Sequence, residues 1–283
     1  MTRVAPDTVL VTNGTGKTGR RVAEGLRRRG GTVRSGSRSG SGETVFDWED
    51  PRTWPTALSG ASAAYVTYVP DIAVSGAAAA IAAFTEAALE AGTCRLVLLS
   101  GRGEDEAQTC EKIIADSGAD WTVLRCSWFA QNFSEGFLLE PILAGSLVLP
   151  TEDVGEPFVD LDDVAEVATA VLTQDGHTGK VYELTGPRLL TFGDAVAAIA
   201  KATGRPITYR AVSLAEFTAA LTADQVPAEV VDVLGYLFGT VLDGRNAFVC
   251  DGVDQVLGRP PRGFTAYANT AASVGVWDPG GYR

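Results

Sequence analysis

Apolar residues fall along the first two-thirds of the chain in short runs, separated by longer amphipathic stretches, the rhythm of strands alternating with helices. Thr8-Val9-Leu10-Val11-Thr12 reads as a buried strand, followed by a glycine turn and a helix to about Arg29. Further strands are expected over residues 32–37, 44–47, 63–69, 95–100 and 121–125. An alanine-rich helix follows the fourth strand, and a helix over about 104–117 follows the fifth. Strands and helices of these lengths in alternation predict βαβ units, and hence an α/β fold with a doubly wound parallel sheet.

Beyond Leu149 the alternation loosens. Phe158-Val159-Asp160-Leu161 is short and extended, and Asp162 is placed to cap a helix over 164–172. Val181-Tyr182-Glu183-Leu184 has the pattern of a last sheet strand. Thr191 is expected to cap a helix that Gly204 ends, and Ser213-Leu214-Ala215-Glu216 is a capping box. The pattern divides the chain into a first domain over residues 1–150, to which segments of about 156–185 return. A smaller, mostly helical subdomain, lid-like in character, is expected over 186–283.

Composition narrows the function. Of 283 residues 46% are hydrophobic and 20% charged, and the formal net charge is −12. Such an acidic chain repels phosphates, which argues against nucleic acid or an anionic membrane as partner. Arg27, Arg28 and Arg29 read as a solvated helix end, where positive charge suits the macrodipole. The four cysteines, Cys94, Cys110, Cys126 and Cys250, have no metal-ligand spacing, and His177 is the only histidine. A histidine triad or a histidine-built zinc site is therefore excluded, and no metal is expected. No signal-peptide pattern is seen. The stretch from Ile72 to Ala91 comes nearest to a membrane span, but it carries Glu86 and Glu90 and suits a helix packed on a sheet. A cytoplasmic protein with reduced thiols is expected.

Gly14-Thr15-Gly16-Lys17-Thr18-Gly19 matches G-x-G-x-x-G between a predicted strand and a predicted helix, the context this motif requires. Glycines there let the backbone approach a pyrophosphate whose charge rests on the helix N-terminal amides. The motif therefore predicts a dinucleotide-binding Rossmann domain. Gly16-Lys17-Thr18 also resembles the end of a phosphate-binding NTPase loop, but the glycine such a loop needs five positions earlier is Val11. At the end of the second strand NAD enzymes carry an acid. Here Ser37-Arg38-Ser39 stands in that place, with no carboxylate before Glu43. An arginine among small hydroxyls suits the 2′-phosphate of NADP(H), although a solvated loop arginine has the same sequence signature.

With these motifs in hand, the chain resembles the NmrA-like group of atypical short-chain dehydrogenases/reductases over nearly its whole length. The resemblance rests on residues 11–19, on Asp47, on Trp121-Thr122-Val123-Leu124-Arg125 and on Trp128-Phe129-Ala130-Gln131-Asn132. Phe158-Val159-Asp160-Leu161-Asp162-Asp163-Val164-Ala165 and Gly258-Arg259-Pro260-Pro261 complete it. The family usually has glycine where Asn13 stands. The resemblance implies that Thr15, Gly16, Lys17 and Thr18, within the turn Asn13, Gly14 to Gly19, contact the phosphates. It implies that Arg38 beside Ser37 meets the 2′-phosphate, and that Asp47 with Trp48 flanks the adenine. Thr67, Tyr68 and Val69 would line the cofactor. Ser100 and Gly101 would sit beside the nicotinamide, and residues 127–132, including Trp128, Phe129 and Asn132 of the substrate pocket, would close that side.

Ordinary short-chain dehydrogenases use a Tyr-x-x-x-Lys pair to move a proton, and this chain contains none. Tyr68 is the candidate donor, as its strand end faces the expected cleft; the same ring could merely pack on the cofactor. Lys112 reads as a surface lysine and Cys126 as buried filler. Two functions are compatible with this reading. One is an NADPH-dependent oxidoreductase acting on a small carbonyl, quinone or enone. The other is a redox-sensing binder without catalysis. Phe217, Tyr236, Leu237 and Phe238 could line a substrate pocket or form the subdomain's own core. A monomer or a homodimer is compatible with the sequence.

Overall fold

Val9, Leu10 and Val11 are fully buried, as strand residues with helices on both faces of their sheet must be. The structure is a computed structural model that describes residues 8–151 and 153–278. It runs β1 (Val9–Val11), α1 (Lys17–Arg28), β2 (Val33–Ser37), β3 (Thr44–Val45), α2 (Trp54–Leu58), β4 (Ala63–Val66) and α3 (Ala77–Glu90). Then come β5 (Arg95–Gly101), α4 (Asp105–Asp116), β6 (Asp120–Cys126), α5 (Asn132–Glu135), α6 (Leu139–Leu143), β7 (Ser146–Leu149) and α7 (Leu161–Thr173). β8 (Lys180–Leu184), α8 (Phe192–Thr203), β9 (Thr208–Ala211), α9 (Leu214–Ala223), α10 (Ala228–Tyr236), α11 (Gly252–Leu257) and α12 (Phe264–Ser273) complete the order.

The chain forms two compact units. The first holds the residues up to Cys126 together with Leu161–Leu184 and Asp251–Arg259. Its sheet has seven strands in the order β3-β2-β1-β4-β5-β6-β8, all parallel. This is the expected doubly wound arrangement, and the order reverses between β1 and β4, where such sheets open a ligand crevice at the strand carboxyl ends. α1 packs against α7, and α3 against α4. The α3 side of the sheet is apolar throughout, with Leu10, Ala64, Val66, Leu96 and Leu98 meeting Ile81, Phe84 and Ile114. α3 is thus a sheet-packing helix, and no helix among the described residues is long and apolar enough to cross a membrane.

The second unit comprises Ser127–Asp160, Thr185–Cys250 and the residues from Pro260 onward. Its core gathers Phe133, Phe158, Phe192, Phe238, Phe264 and Trp277. This corrects the expected boundaries. Residues 127–150 leave the first domain because β7 pairs in parallel with β9, Leu147 opposite Tyr209. Conversely α11 returns to the first unit, where it packs on α7 and β8. The caps at Thr191 and Ser213 form as capping boxes, and Gly204 takes the left-handed conformation after α8. Asp162 does not cap α7. It lies within the first turn, because the helix starts at Leu161, and it receives a hydrogen bond from Arg21 Nε at 3.0 Å.

Candidate functional site

The turn between β1 and α1 is held tightly from both sides. Gly14 N–H donates to the Gly36 carbonyl of β2 at 2.8 Å, and Gly16 N–H to the Asn13 carbonyl at 3.1 Å. A Cβ on Gly14 would lie 2.6 Å from Ser35 Cβ, one on Gly16 would strike the Asn13 side chain, and one on Gly19 the Asn13 carbonyl. The glycines are therefore required by close approach within the protein. Gly16 has an extended backbone (φ −73°, ψ 174°), and neither it nor Asn13 uses a left-handed conformation. Asn13 is accommodated because its side chain lies in the space Gly16 leaves empty. α1 then starts with no side-chain cap and no acidic residue in its first turn. With twelve residues, α1 has a dipole whose positive end lies at this turn, a start that suits an anion.

At the end of β2, Ser37 is buried and its Oγ accepts a hydrogen bond from Gly42 N–H at 2.9 Å. Arg38 is exposed and has no hydrogen bond or ion pair among the described residues. Glu43, the nearest acid along the chain, is already engaged: it accepts from Ser35 N–H at 2.9 Å and from Arg27 at 2.6 Å. Asp47 takes the Glu49 amide on its carboxylate and the Trp54 indole N–H on its carbonyl. Trp48 is 9% exposed and sits edge-on among Phe46, Trp54 and Phe84. Its indole donates to the Thr67 carbonyl at 2.9 Å. Trp48 is thus largely a core residue that ties the β3 side of the unit to the tip of β4.

The carboxyl ends of β4 and β5 bring the titratable groups together. Thr67 N–H donates to Thr12 Oγ1 at 2.9 Å, which pins β4 to β1. Tyr68, half-buried, tilts against Trp48 with ring centroids 5.1 Å apart, and Val69 follows it, also half-buried. Burial, with smaller contributions from Glu49 and Cys110, raises the Tyr68 phenol above its ordinary value. Asp71 is also raised by burial, opposed by the Ala73 amide it accepts at 2.8 Å. Ser100 Oγ donates to Glu111 Oε1 at 2.6 Å, and Arg125 of β6 forks onto both Glu111 oxygens. The chain of charges continues through Glu183 of β8 to the buried Arg102.

Glu104 differs from all of these. It is 8% exposed, its Oε2 has no hydrogen-bond partner, and its carboxylate lies where a side chain on Gly101 would stand. Burial, followed by Asp71, Glu106 and Glu111, pushes its carboxyl up to about 8. Lys112 is exposed and pairs along its helix with Asp116 at 4.0 Å, so it is a surface lysine. Cys126 is buried and its thiol is pushed up by that burial, as inert filler should be.

In the second unit, Trp128 is half-buried, edge-on to Phe192 at 5.4 Å and tilted over Phe238 at 5.1 Å. Phe129 forms a bridge with Val159, and Asn132 opens α5. Phe217 and Phe238 belong to this unit's core, while Tyr236 and Leu237 are half-buried.

No family model matches the chain. The agroclavine dehydrogenase of Claviceps purpurea (strain 20.1) is 30% identical to it over 278 residues, covering 92% of this chain and 96% of the relative. The chain belongs to the NmrA-like family of atypical short-chain dehydrogenases/reductases. The NAD(P)H azoreductase of Xenophilus azovorans is 29% identical, covering 94% of this NmrA-like chain and 98% of the azoreductase. The crystal structure of NmrA, a negative transcriptional regulator in complex with NAD, superposes with a TM-score of 0.71 at 16% identity, covering 97% of each chain.

An NmrA-like fold implies a dinucleotide, and the first unit fits one. The uncapped, acid-free N-terminus of α1 suits a pyrophosphate, and the exposed Arg38 suits a further phosphate. The sequence reading brought Asn13–Gly19, Ser37, Arg38, Asp47, Trp48, Thr67, Tyr68, Val69, Ser100 and Gly101 into view, and all lie in this one unit. It missed Asp71, Glu104, Glu111, Arg102 and Glu183 as a connected group. The only signal was the spacing of acids after β5, and their partners come from strands up to 81 positions away.

Proposed function

We propose that this NmrA-like protein is an NADPH-dependent oxidoreductase acting on a small carbonyl, quinone or enone. Residues at the carboxyl ends of β1, β4 and β5 would hold the dinucleotide, which when bound would supply a hydride. The residues of the chain bind, orient and exclude water. Thr15, Gly16, Lys17 and Thr18, with Asn13, Gly14 and Gly19 shaping the turn, hold the pyrophosphate on the α1 amides. Asp47 and the exposed edge of Trp48 border the adenine. Thr67, Tyr68 and Val69 would wall the nicotinamide side, and Ser100 and Gly101 would border the ring.

The observation that carries this reading is the β1–α1 turn, in which every glycine is required and the helix starts with no side-chain cap and no acid in its first turn. The names of the relatives support the reductase class: a dehydrogenase and an NAD(P)H-dependent azoreductase. The preference for NADPH rests on Arg38. It is unpaired and exposed where a 2′-phosphate would arrive, and the acid that could bind a ribose hydroxyl, Glu43, is held by Ser35 and Arg27. Fluorescence titration should show NADPH binding more tightly than NADH, with Arg38→Ala narrowing the gap. Equal affinities in the unmodified protein would remove the case for NADPH. A second reading, a redox-sensing binder, is favoured by the likeness to a transcriptional regulator and by the missing Tyr-x-x-x-Lys pair.

A further inference from the structure

A reduction by hydride leaves the source of the proton open. Tyr68, Asp71 and Glu104, in the segments that follow β4 and β5, are titratable groups that can carry one. Tyr68 is tilted against Trp48, and its raised phenol gives up a proton reluctantly. Asp71 has its Oδ1 occupied by the Ala73 amide. Glu104 occupies the N-cap position of α4, yet its side chain makes no capping hydrogen bond. It turns back instead onto the Cα of Gly101, at the tip of β5, with Oε2 buried and unpartnered. A capping carboxylate would gain from the helix amides and dipole, so this orientation forgoes a favourable local interaction. A buried carboxyl oxygen without a partner costs free energy unless something else meets it.

We propose that Glu104 is the proton donor of the reaction, positioned by Gly101 beside the nicotinamide. The proposal rests on the dinucleotide reading above, which sets Gly101 next to that ring. For a carbonyl acceptor, the C=O π bond breaks, the carbon takes the hydride that bound NADPH supplies, and the oxygen takes the proton of the Glu104 carboxyl. NADPH becomes NADP+, the acceptor becomes the alcohol, and Glu104 is left as a carboxylate that regains its proton from water.

The surroundings keep the carboxyl loaded. Glu106 and Glu111 face it from α4, and Asp71 from the β4–α3 connection. The nearby cations are committed elsewhere: Arg125 of β6 to Glu111 and Glu183, and Arg102 at the end of β5 to Glu183 of β8. Burial and three acids therefore act together against ionisation, and the carboxyl stands at about 8, protonated at neutral pH. A positive charge arriving beside it reverses that balance. The oxidised nicotinamide carries such a charge and the reduced one does not, so the Glu104 proton and the cofactor's redox state are linked.

This linkage is measured without any acceptor. Isothermal titration of the full-length protein at pH 7, in two buffers of different ionisation heat, gives the protons released on binding NADP+ and on binding NADPH. Both carry the 2′-phosphate, so the difference between them isolates the ring. NADP+ should release about half a proton or more beyond NADPH, and in Glu104→Gln the difference should vanish while both still bind. Equal release for the two cofactors in the unmodified protein, or a difference that survives Glu104→Gln, overturns the proposal. If neither cofactor binds, the dinucleotide reading fails, and the assignment of Glu104 fails with it.

Discussion

Glu104 has a cost in stability that follows from the same burial. Its carboxyl rises from an ordinary 4.5 to about 8 on folding, so over that range the folded state holds the proton more firmly than the unfolded chain. Stability from this residue is complete below about pH 4.5, falls as pH rises, and is lost above about 8. Each tenfold change in proton affinity is worth about 1.4 kcal/mol, so the loss is a few kcal/mol at most. Glutamine has no proton to lose. Glu104→Gln should therefore leave the melting temperature nearly unchanged at pH 4 and raise it by at least about 4 °C at pH 9. A uniform shift at both pH values would mean that Glu104 is not a buried acid. Little of this was legible in the sequence, where Glu104 is one acid among several. Its burial depends on Gly101 lacking a side chain, and its raised carboxyl also on Asp71, which arrives from the β4–α3 connection. Trp48 illustrates the same limit, since its neighbour Phe46 and its partners Trp54 and Phe84 are gathered from separate elements.

Elements were far more legible than side-chain partners. Apolar runs found the strands from β1 to β6 and β8, because a central parallel strand must be apolar on both faces. Turn and cap chemistry found Thr191, Gly204 and Ser213 for a similar reason: these devices are local and need no distant partner. What failed was the element that depends on tertiary pairing. β7 was assigned to the first domain because nothing within residues 146–149 announces its pairing with β9, some sixty residues on. The β1–α1 turn combines both kinds of information. Its glycines were visible, but the neighbours that require them, Ser35 and Asn13, were not. A branched side chain at Gly16 would push the Asn13 side chain aside and distort the path of the turn. Gly16→Val is expected to abolish NADPH binding while the far-ultraviolet circular dichroism spectrum stays that of the parent. Normal NADPH affinity in this variant would show that the pyrophosphate lies elsewhere.

On the scale of the whole molecule, the first unit contains every group proposed to hold the dinucleotide, and the second has its own aromatic core. The net charge of −12 makes a free anionic partner unwelcome except where positive groups are presented locally, as at the α1 N-terminus and Arg38. That contrast favours a nucleotide held at a defined place over nucleic acid bound across a surface. The central claim is that the bound cofactor is used, and the most direct measurement is NADPH consumption by the purified protein against a panel of quinones, enones, ketones and imines. The account predicts turnover of at least one class, with NADPH oxidised in proportion to the acceptor reduced. Tight NADPH binding with no oxidation across the whole panel would contradict it and favour a redox sensor.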